Sequence, residues 1–485
     1  MADPGCPREW VGTLVRSRGR ACAPTDAGAA PPGILAVMNP TYAEVEAALL
    51  GRWPETRLEP SLERITALCR LLGDPQDAYP VVHLTGTNGK SSTARMVDAL
   101  LRALELRTGR FTSPHLQSMT ERISLDGEPL TEEQFVEAFA DVAAYAQVVD
   151  DSQPHPVSFF ELTVAMAFAA FADAPVDAAV VEVGMGGSWD ATNVAHGKVA
   201  VVTPVAVDHA RYLGDTAAEV AVEKSGIIKA GSHAVLAAQE PDVLDVLVRR
   251  SLEVGATVLR EGVDFGVVER LNAVGGQQVA LQGLNARYDD VLLRLHGAHQ
   301  AQNAAVALAT VEAFVDAELD ADLVRAAFGE VTSPGRLEVL RRSPTVLVDS
   351  AHNPHGVRAA VETVQDAFTF SPLVGVVGAM ADKDVEEMLR ELEPVLAHVV
   401  CTQNSLDRSM RAEELGELAE EVFGEDRVTV VRSLDDALVR AISMAETGEG
   451  MEEAIGSGGV LVIGSVVTAG EARILLGGGP AGGAA

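Results

Sequence analysis

Short apolar runs alternate with amphipathic stretches along most of this chain, and the alternation begins near residue 40. Val81-Val82-His83-Leu84-Thr85 is brief and rich in β-branched residues, as a buried strand should be. A Gly-rich turn follows it. Then Met96, Val97, Leu100, Leu101 and Leu104 recur at three- and four-residue spacing, which predicts a helix with one apolar face. Residues 40–72 read as helical with a break near Trp53-Pro54. Thr131 and Gln134 form a capping box ahead of another helix, and Ser158 opens an Ala-rich, largely buried one. Asp177–Gly184 and Val199–Val207 read as strands that end in polar residues. Residues 216–229 and 299–328 read as helical, and 232–295 as shorter strands and turns.

Ser333-Pro334-Gly335 interrupts the pattern, and a second alternation then starts. Strands are predicted at 345–349, 373–378, 399–402, 428–431 and 460–463, with helices near 355–368, 383–396 and 411–423. This order implies two α/β units, the second smaller, Rossmann-like and with a mostly parallel sheet. The boundaries are residues 39–332 for the first and 333–475 for the second. Residues 1–38 read as a disordered extension, with Met38 as a candidate true start. Residues 447–458 read as a loop and 476–485 as a flexible tail.

A length of 485 residues suits two to three domains. The net charge of −33 argues against nucleic-acid partners and an anionic membrane surface. Any anionic substrate must therefore be met by local Lys, Arg, metal ions and helix N-termini. Cys6, Cys22, Cys69 and Cys401 are scattered without C-x-x-C spacing, which suggests neither disulfides nor a metal cluster and suits a reducing cytoplasm. No apolar run is long enough to span a membrane.

The chemistry concentrates after the apolar runs. Gly86-Thr87-Asn88-Gly89-Lys90-Ser91-Ser92 joins a strand to a helix N-terminus, where backbone N–H groups and the helix dipole favour an anion. Lys90 can reach a terminal phosphate, and the hydroxyl of Ser91 or Ser92 can ligate Mg²⁺. The loop is shorter than G-x-x-x-x-G-K-[ST]. Ser113, Glu182 and His209 also follow apolar runs, and in open α/β sheets ligands lie beyond the carboxyl ends of the strands. Together they offer hydroxyl, carboxylate and imidazole ligands beside a triphosphate. Taken singly, Glu182 is a cap or ion-pair partner, His209 a structural histidine and Ser113 a turn residue.

Ordered motifs extend this picture. They include Thr112-Ser113-Pro114-His115-Leu116, Phe160-Glu161-Leu162-Thr163, Gly186-Gly187-Ser188-Trp189-Asp190-Ala191-Thr192-Asn193, Asp208-His209, Glu223-Lys224-Ser225-Gly226-Ile227, His299-Gln300 with Asn303, Pro334-Gly335-Arg336-Leu337-Glu338, and Asp349 with Ala351-His352-Asn353-Pro354. With the loop Gly86–Lys90 they make the chain, from about residue 40 to 475, resemble the folylpolyglutamate synthase/dihydrofolate synthase family of Mur-ligase-like ATP-dependent amide ligases.

The resemblance implies that the first unit is a P-loop-containing Mur-ligase-like ATPase domain, in a cytoplasmic, monomeric enzyme that uses ATP and two Mg²⁺ ions. It adds L-glutamate to dihydropteroate or to a folate through an acyl phosphate, and the expected enzyme is bifunctional. It also implies roles for residues. Lys90, Lys224, His352 and Glu182 would be catalytic. Gly86, Thr87, Asn88, Gly89, Lys90, Ser91, Ser92, Asn303, Arg336 and Asp349 would bind ATP. Ser113, Glu182, His209 and Lys224, the last as a carbamate, would hold the metal ions. Phe159 or Phe160 would stack on the pterin, Thr163 and Asp190 would bond its edge, and His352 and Ser465 would serve the glutamate site. Two positions depart from the pattern: Ser91 stands where Gly is frequent and Ser188 where Arg is common. The alternatives are a synthase with only the polyglutamylating half, a muramyl-peptide ligase, which should carry an extra N-terminal domain, and a nucleotide-binding switch without turnover.

Overall fold

The computed structural model describes residues 40–54, 60–448 and 457–479. The expectations for the N-terminal extension, for Met38, for most of the 447–458 loop and for the end of the tail fall outside these residues. The first unit is built on an eight-stranded sheet: β1 (Val81–Thr85), β2 (Thr108–Phe111), β3 (Ile123–Leu125), β4 (Glu128–Pro129), β5 (Ala178–Glu182), β6 (Gly197–Val202), β7 (His233–Leu236) and β8 (Thr257–Arg260). The strand order is β4-β3-β2-β5-β1-β6-β7-β8. Six strands run parallel, and β3 and β4 close one edge in antiparallel pairing. β1 and β5 are buried along their whole length. That is why they read as continuous apolar runs rather than as alternation.

Helices cover both faces. On one face Lys90–Ala103 packs against Ala298–Val315 and Ala321–Glu330. A three-stranded antiparallel sheet of β9 (Gly266–Ala273), β10 (Gly276–Gln282) and β11 (Arg287–Leu293) extends that core. On the other face lie Tyr42–Leu50, Glu63–Leu71, Glu132–Ser152 and Phe159–Asp173. The last two begin with capping boxes, the expected one of Thr131 with Gln134 and a second of Ser158 with Glu161.

The second unit has a six-stranded sheet: β12 (Glu338–Arg342), β13 (Thr345–Val348), β14 (Leu373–Val377), β15 (His398–Cys401), β16 (Val428–Val430) and β17 (Gly459–Ile463). Its order is β12-β13-β17-β14-β15-β16, parallel except for β12.

The structure departs from the sequence reading in four places. The strand expected through Val207 stops at Val202, because Pro204 has no N–H to continue the ladder. Residues 241–254 are a helix, not strands and turns: Pro241 occupies its first turn, and Val243, Leu247 and Ser251 lie four apart on its buried face. The helix expected over 299–328 is two, divided where Asp316 turns left-handed at φ 55°. Two further helices, Leu434–Thr447 and Val466–Leu475, complete the second unit.

Candidate active site

The carboxyl ends of β1, β2 and β5 face the start of the second unit across a cavity of about 360 Å³. The phosphate loop forms its floor. Gly86 lies at φ 145°, with Thr203 so close that any Cβ would overlap it. Gly89 lies at φ 87° as the N-cap of Lys90–Ala103, and a Cβ there would come within 2.7 Å of the Asn303 amide oxygen. Both glycines are thus required by close approach as well as by backbone conformation. Lys90 Nζ donates to the Gly86 and Thr87 carbonyls at 3.1 and 3.2 Å. Burial pulls its pKa below the ordinary lysine value, against the opposing charges of Glu182 and Asp208.

The two serines after Lys90 have different partners. Ser91 Oγ donates to Glu182 Oε1 at 2.9 Å. Ser92 Oγ is buried, 3.0 Å from Ser333 Oγ and within reach of Gln300. Ser91 is therefore the hydroxyl beside the carboxylate, and Ser92 tethers the loop to the segment entering the second unit. Glu182 ends β5 with 1% exposure, and its Oε2 accepts from the Ser113 N–H at 3.4 Å. Burial raises its pKa, while Lys90 and the Ser91 hydrogen bond oppose the rise.

Lys224 enters from the helix Ala217–Lys224, is 4% exposed, and donates to the Gly86 carbonyl at 2.8 Å. Burial and then the nearby Lys90 charge push its pKa down to about 7. His209, at φ 52°, also lines the cavity, and burial lowers its pKa to about 4, which leaves the imidazole neutral.

Asn303, Arg336, Asp349 and His352 line the same cavity. Asp349 Oδ2 accepts from Leu337 N and Oδ1 from Ala351 N, each at 2.8 Å, so this carboxylate ties the end of β13 to the inter-unit segment. Burial raises its pKa, and the Arg336 charge opposes that. His352 Nδ1 lies 3.0 Å from the Ser350 carbonyl. Since a carbonyl only accepts, the proton sits on Nδ1 and Nε2 keeps its lone pair, 3.9 Å from Asp208. Burial lowers the pKa of His352 to about 4.

The pterin candidates and Ser465 do not line this cavity, whereas His352, the other glutamate candidate, does. Phe159 is in the core beneath the Arg122 guanidinium. Phe160 packs beside Phe111, with its ring against Gly184 at the cavity edge. Thr163 is buried and bonded to the Phe160 carbonyl of its own helix. Asp190 accepts from Met185 N, Thr192 N and Thr192 Oγ1 and so pins the Gly-rich loop. Burial raises its pKa to about 6. Ser465 is buried and caps the helix Val466–Leu475 through Val467 N, while its neighbour Val466 reaches the cavity.

Lys383 and His355 were not picked out by sequence reasoning, and neither were the contacts that they make at the site. Asp208 accepts from Lys383 Nζ at 2.7 Å and from Asn353 Nδ2 at 3.2 Å. Although burial works against it, His209, Lys383 and His352 hold its carboxyl well below the ordinary range. Asn88 Nδ2 bonds Asn353 and approaches His355 Nδ1 at 3.0 Å. Lys383 follows β14, so the rule that strand ends carry function could have pointed to it.

Residues 84–311 match the family described as Mur ligase middle domain, and residues 335–465 that described as Mur ligase, glutamate ligase domain. The dihydrofolate synthase/folylpolyglutamate synthase of Mycobacterium tuberculosis is 49% identical over 455 residues, covering 90% of this chain and 93% of its own. This chain belongs to the folylpolyglutamate synthase/dihydrofolate synthase family. The Escherichia coli dihydrofolate synthase/folylpolyglutamate synthase is 30% identical, over 73% of this chain and 80% of its own. Among solved members of the family, Mycobacterium tuberculosis folylpolyglutamate synthase complexed with ADP aligns with a TM-score of 0.88 at 50% identity, covering 90% of this chain and 99% of that one. E. coli FolC in complex with DHPP and ADP aligns with a TM-score of 0.79 at 27% identity, with coverages of 90% and 99%. Among the described residues, no helix is long and apolar enough to cross a membrane.

Proposed function

We propose that the protein is a cytoplasmic ATP-dependent ligase that joins L-glutamate to the carboxylate of dihydropteroate and of folates. The observation that carries the reading is one cavity lined jointly by a phosphate loop, Glu182 and Lys224 from the first unit and by Arg336, Asp349 and His352 from the second. A carboxylate is a poor electrophile because its oxygen leaves badly. Transfer of the γ-phosphoryl group of ATP to it releases ADP and gives an acyl phosphate. The α-amine of glutamate then attacks the acyl carbon, forms the C–N bond and expels phosphate.

Phosphoryl transfer depends on positioning and charge neutralisation. Loop N–H groups and Lys90 supply these for the phosphates, and Arg336 brings a second cation. Asn303 lies against Gly89, where it can contact the nucleotide. His352 presents a bare Nε2 that can accept a hydrogen bond from the incoming amine and orient its lone pair. The oxygen-rich donor set suits Mg²⁺. Glu182 already gathers the Ser91 hydroxyl, Ser113 lines the same wall, and the neutral His209 retains a free lone pair. Among the described residues no three His, Cys, Asp or Glu side chains form a cage, so nucleotide oxygens and water would complete the coordination of the two ions. Mg²⁺ would neutralise phosphate charge. Lys224, as a carbamate, would present an anionic oxygen in place of a repelling ammonium. The pterin is assigned to the side of the cavity where Phe160 meets Gly184, with Phe159, Thr163 and the Asp190 loop behind it. The glutamate is assigned near His352, with Ser465 holding the helix beside it.

The test is ADP release with MgATP and L-glutamate, with dihydropteroate and tetrahydrofolate in parallel and product masses measured. One added glutamyl unit on each acceptor is the expected result. Turnover with tetrahydrofolate alone would reduce the activity to the polyglutamylating half, and turnover with neither would overturn the assignment.

A further inference from the structure

The loop Ser113–Ser118 leaves the cavity wall and touches the other unit at Leu116 and Gln117. Leu116, partly buried, packs against the core of the C-terminal sheet, and among the described residues it is the one such contact from before the Pro334-Gly335 segment. Its backbone lies so close to Gly470 that a methyl group there would overlap the Leu116 carbonyl. Its side chain lies against Gly335, where a Cβ would come within 3.2 Å of it. The adjacent Gln117 accepts from Arg473 Nη1, which is itself 3% exposed. Arg473 also forms a two-pronged ion pair with Glu338 at 2.7 and 3.1 Å, and Glu338 accepts from the Gly335 N–H at 2.8 Å.

The loop is equally fixed to its own unit. The Glu121 carboxylate, 5% exposed, accepts from the N–H groups of Leu116, Gln117 and Ser118 at 2.8, 3.1 and 3.1 Å. At its start, the Ser113 N–H points to Glu182. A rigid loop anchored beside the phosphate site thus projects an apolar knob into the second unit at the point where the chain crosses over.

We propose that Leu116 and Gln117 are positioning residues. They form a stop that sets how the C-terminal unit closes, and so where Arg336, Asp349 and His352 arrive over the reacting groups. Truncating the knob leaves each unit intact but lets the second seat loosely. This rests on the ligase reading only for its kinetic readout. Misplacement of reacting groups by about 1 Å costs on the order of a hundredfold in rate, so Leu116→Ala should lower kcat at least ~tenfold while the KM for the folate substrate changes less than ~threefold. Leu116→Met, which refills the volume, should restore most of the rate, and Gln117→Ala should act in the same direction more weakly.

Independently of turnover, hydrogen exchange of peptides covering 333–350 should accelerate in Leu116→Ala, with the β1 peptide unchanged. Accelerated exchange there together with the kcat loss would support the stop. Unchanged exchange at 333–350 would overturn it, as would equal losses in Leu116→Ala and Leu116→Met. If Leu116→Ala fails to fold, Gln117→Ala decides by the same readings. Wild-type protein without turnover would sink the ligase reading, while the exchange result would still decide the stop.

Discussion

Lys224 offers the sharpest test of how burial tunes this site. It is 4% exposed, its ammonium would lie near Lys90, and its pKa falls from the ordinary 10.5 to about 7. At pH 7 such a group is about half free amine, whereas a lysine titrating at 10.5 would be ~0.03% free, a gain on the order of a thousandfold. Only the free amine adds to CO₂: its lone pair bonds the carbon, one N–H proton leaves, and a carbamate anion remains. The fold therefore makes available at neutral pH a modification that an exposed lysine would rarely carry. Protein equilibrated with ¹³C-bicarbonate at pH 8 should show one carbamate carbonyl resonance by ¹³C NMR, absent in Lys224→Ala. The signal and the turnover should both fall as the pH drops below 7, because protonation removes the nucleophile. Lys224→Ala should lose most of its activity and regain part of it with short carboxylic acids. A Lys224→Ala enzyme with undiminished kcat, or a wild-type enzyme equally active without any carbamate resonance, would refute the reasoning.

Lys383→Met removes the ammonium that bonds Asp208 across the two units, at 12% side-chain exposure on each partner. Steady-state assays should show kcat reduced by about tenfold or more, and the melting temperature should fall as well, since the buried Asp208 carboxylate is left without its ammonium. Thr131→Ala removes the capping box of Glu132–Ser152 and should cost about 1 kcal/mol in urea denaturation, with turnover unaffected. His83 is fully buried, bonds Thr192 Oγ1 at 2.9 Å, and is held neutral by burial, which lowers its pKa to about 3. The unfolded chain binds its proton near pH 6.5 and the folded chain does not, so stability should decline as pH falls from about 6.5 toward 3. His83→Gln should flatten that decline in pH-dependent melting. An unchanged acid limb would show that His83 does not set it.

What the sequence determined by itself was local. Continuous apolar runs and the 3.6-residue period placed most strands and helices, because both are properties of a short segment. Gly86–Lys90 was legible because a phosphate loop is a contiguous strand, turn and helix. Thr131 was legible as a cap for the same reason. The helix Pro241–Val254 was missed although Val243, Leu247 and Ser251 carry its period, because flanking short strands masked it. The role of Asp190 was half-read, since the N–H groups that it holds are contributed by loop geometry.

Tertiary structure alone decided what crosses between the units. It chose Ser91 over Ser92 as the partner of Glu182, set Asp208 against Lys383 175 positions away, and packed Leu116 against the core of the other unit. It also depressed the pKa of Lys224, which on a solvated helix would titrate as an ordinary lysine. The physical reason is common to all of these. Pairing, desolvation and close approach depend on which surfaces meet, and no segment of the chain carries that information about a partner folded elsewhere.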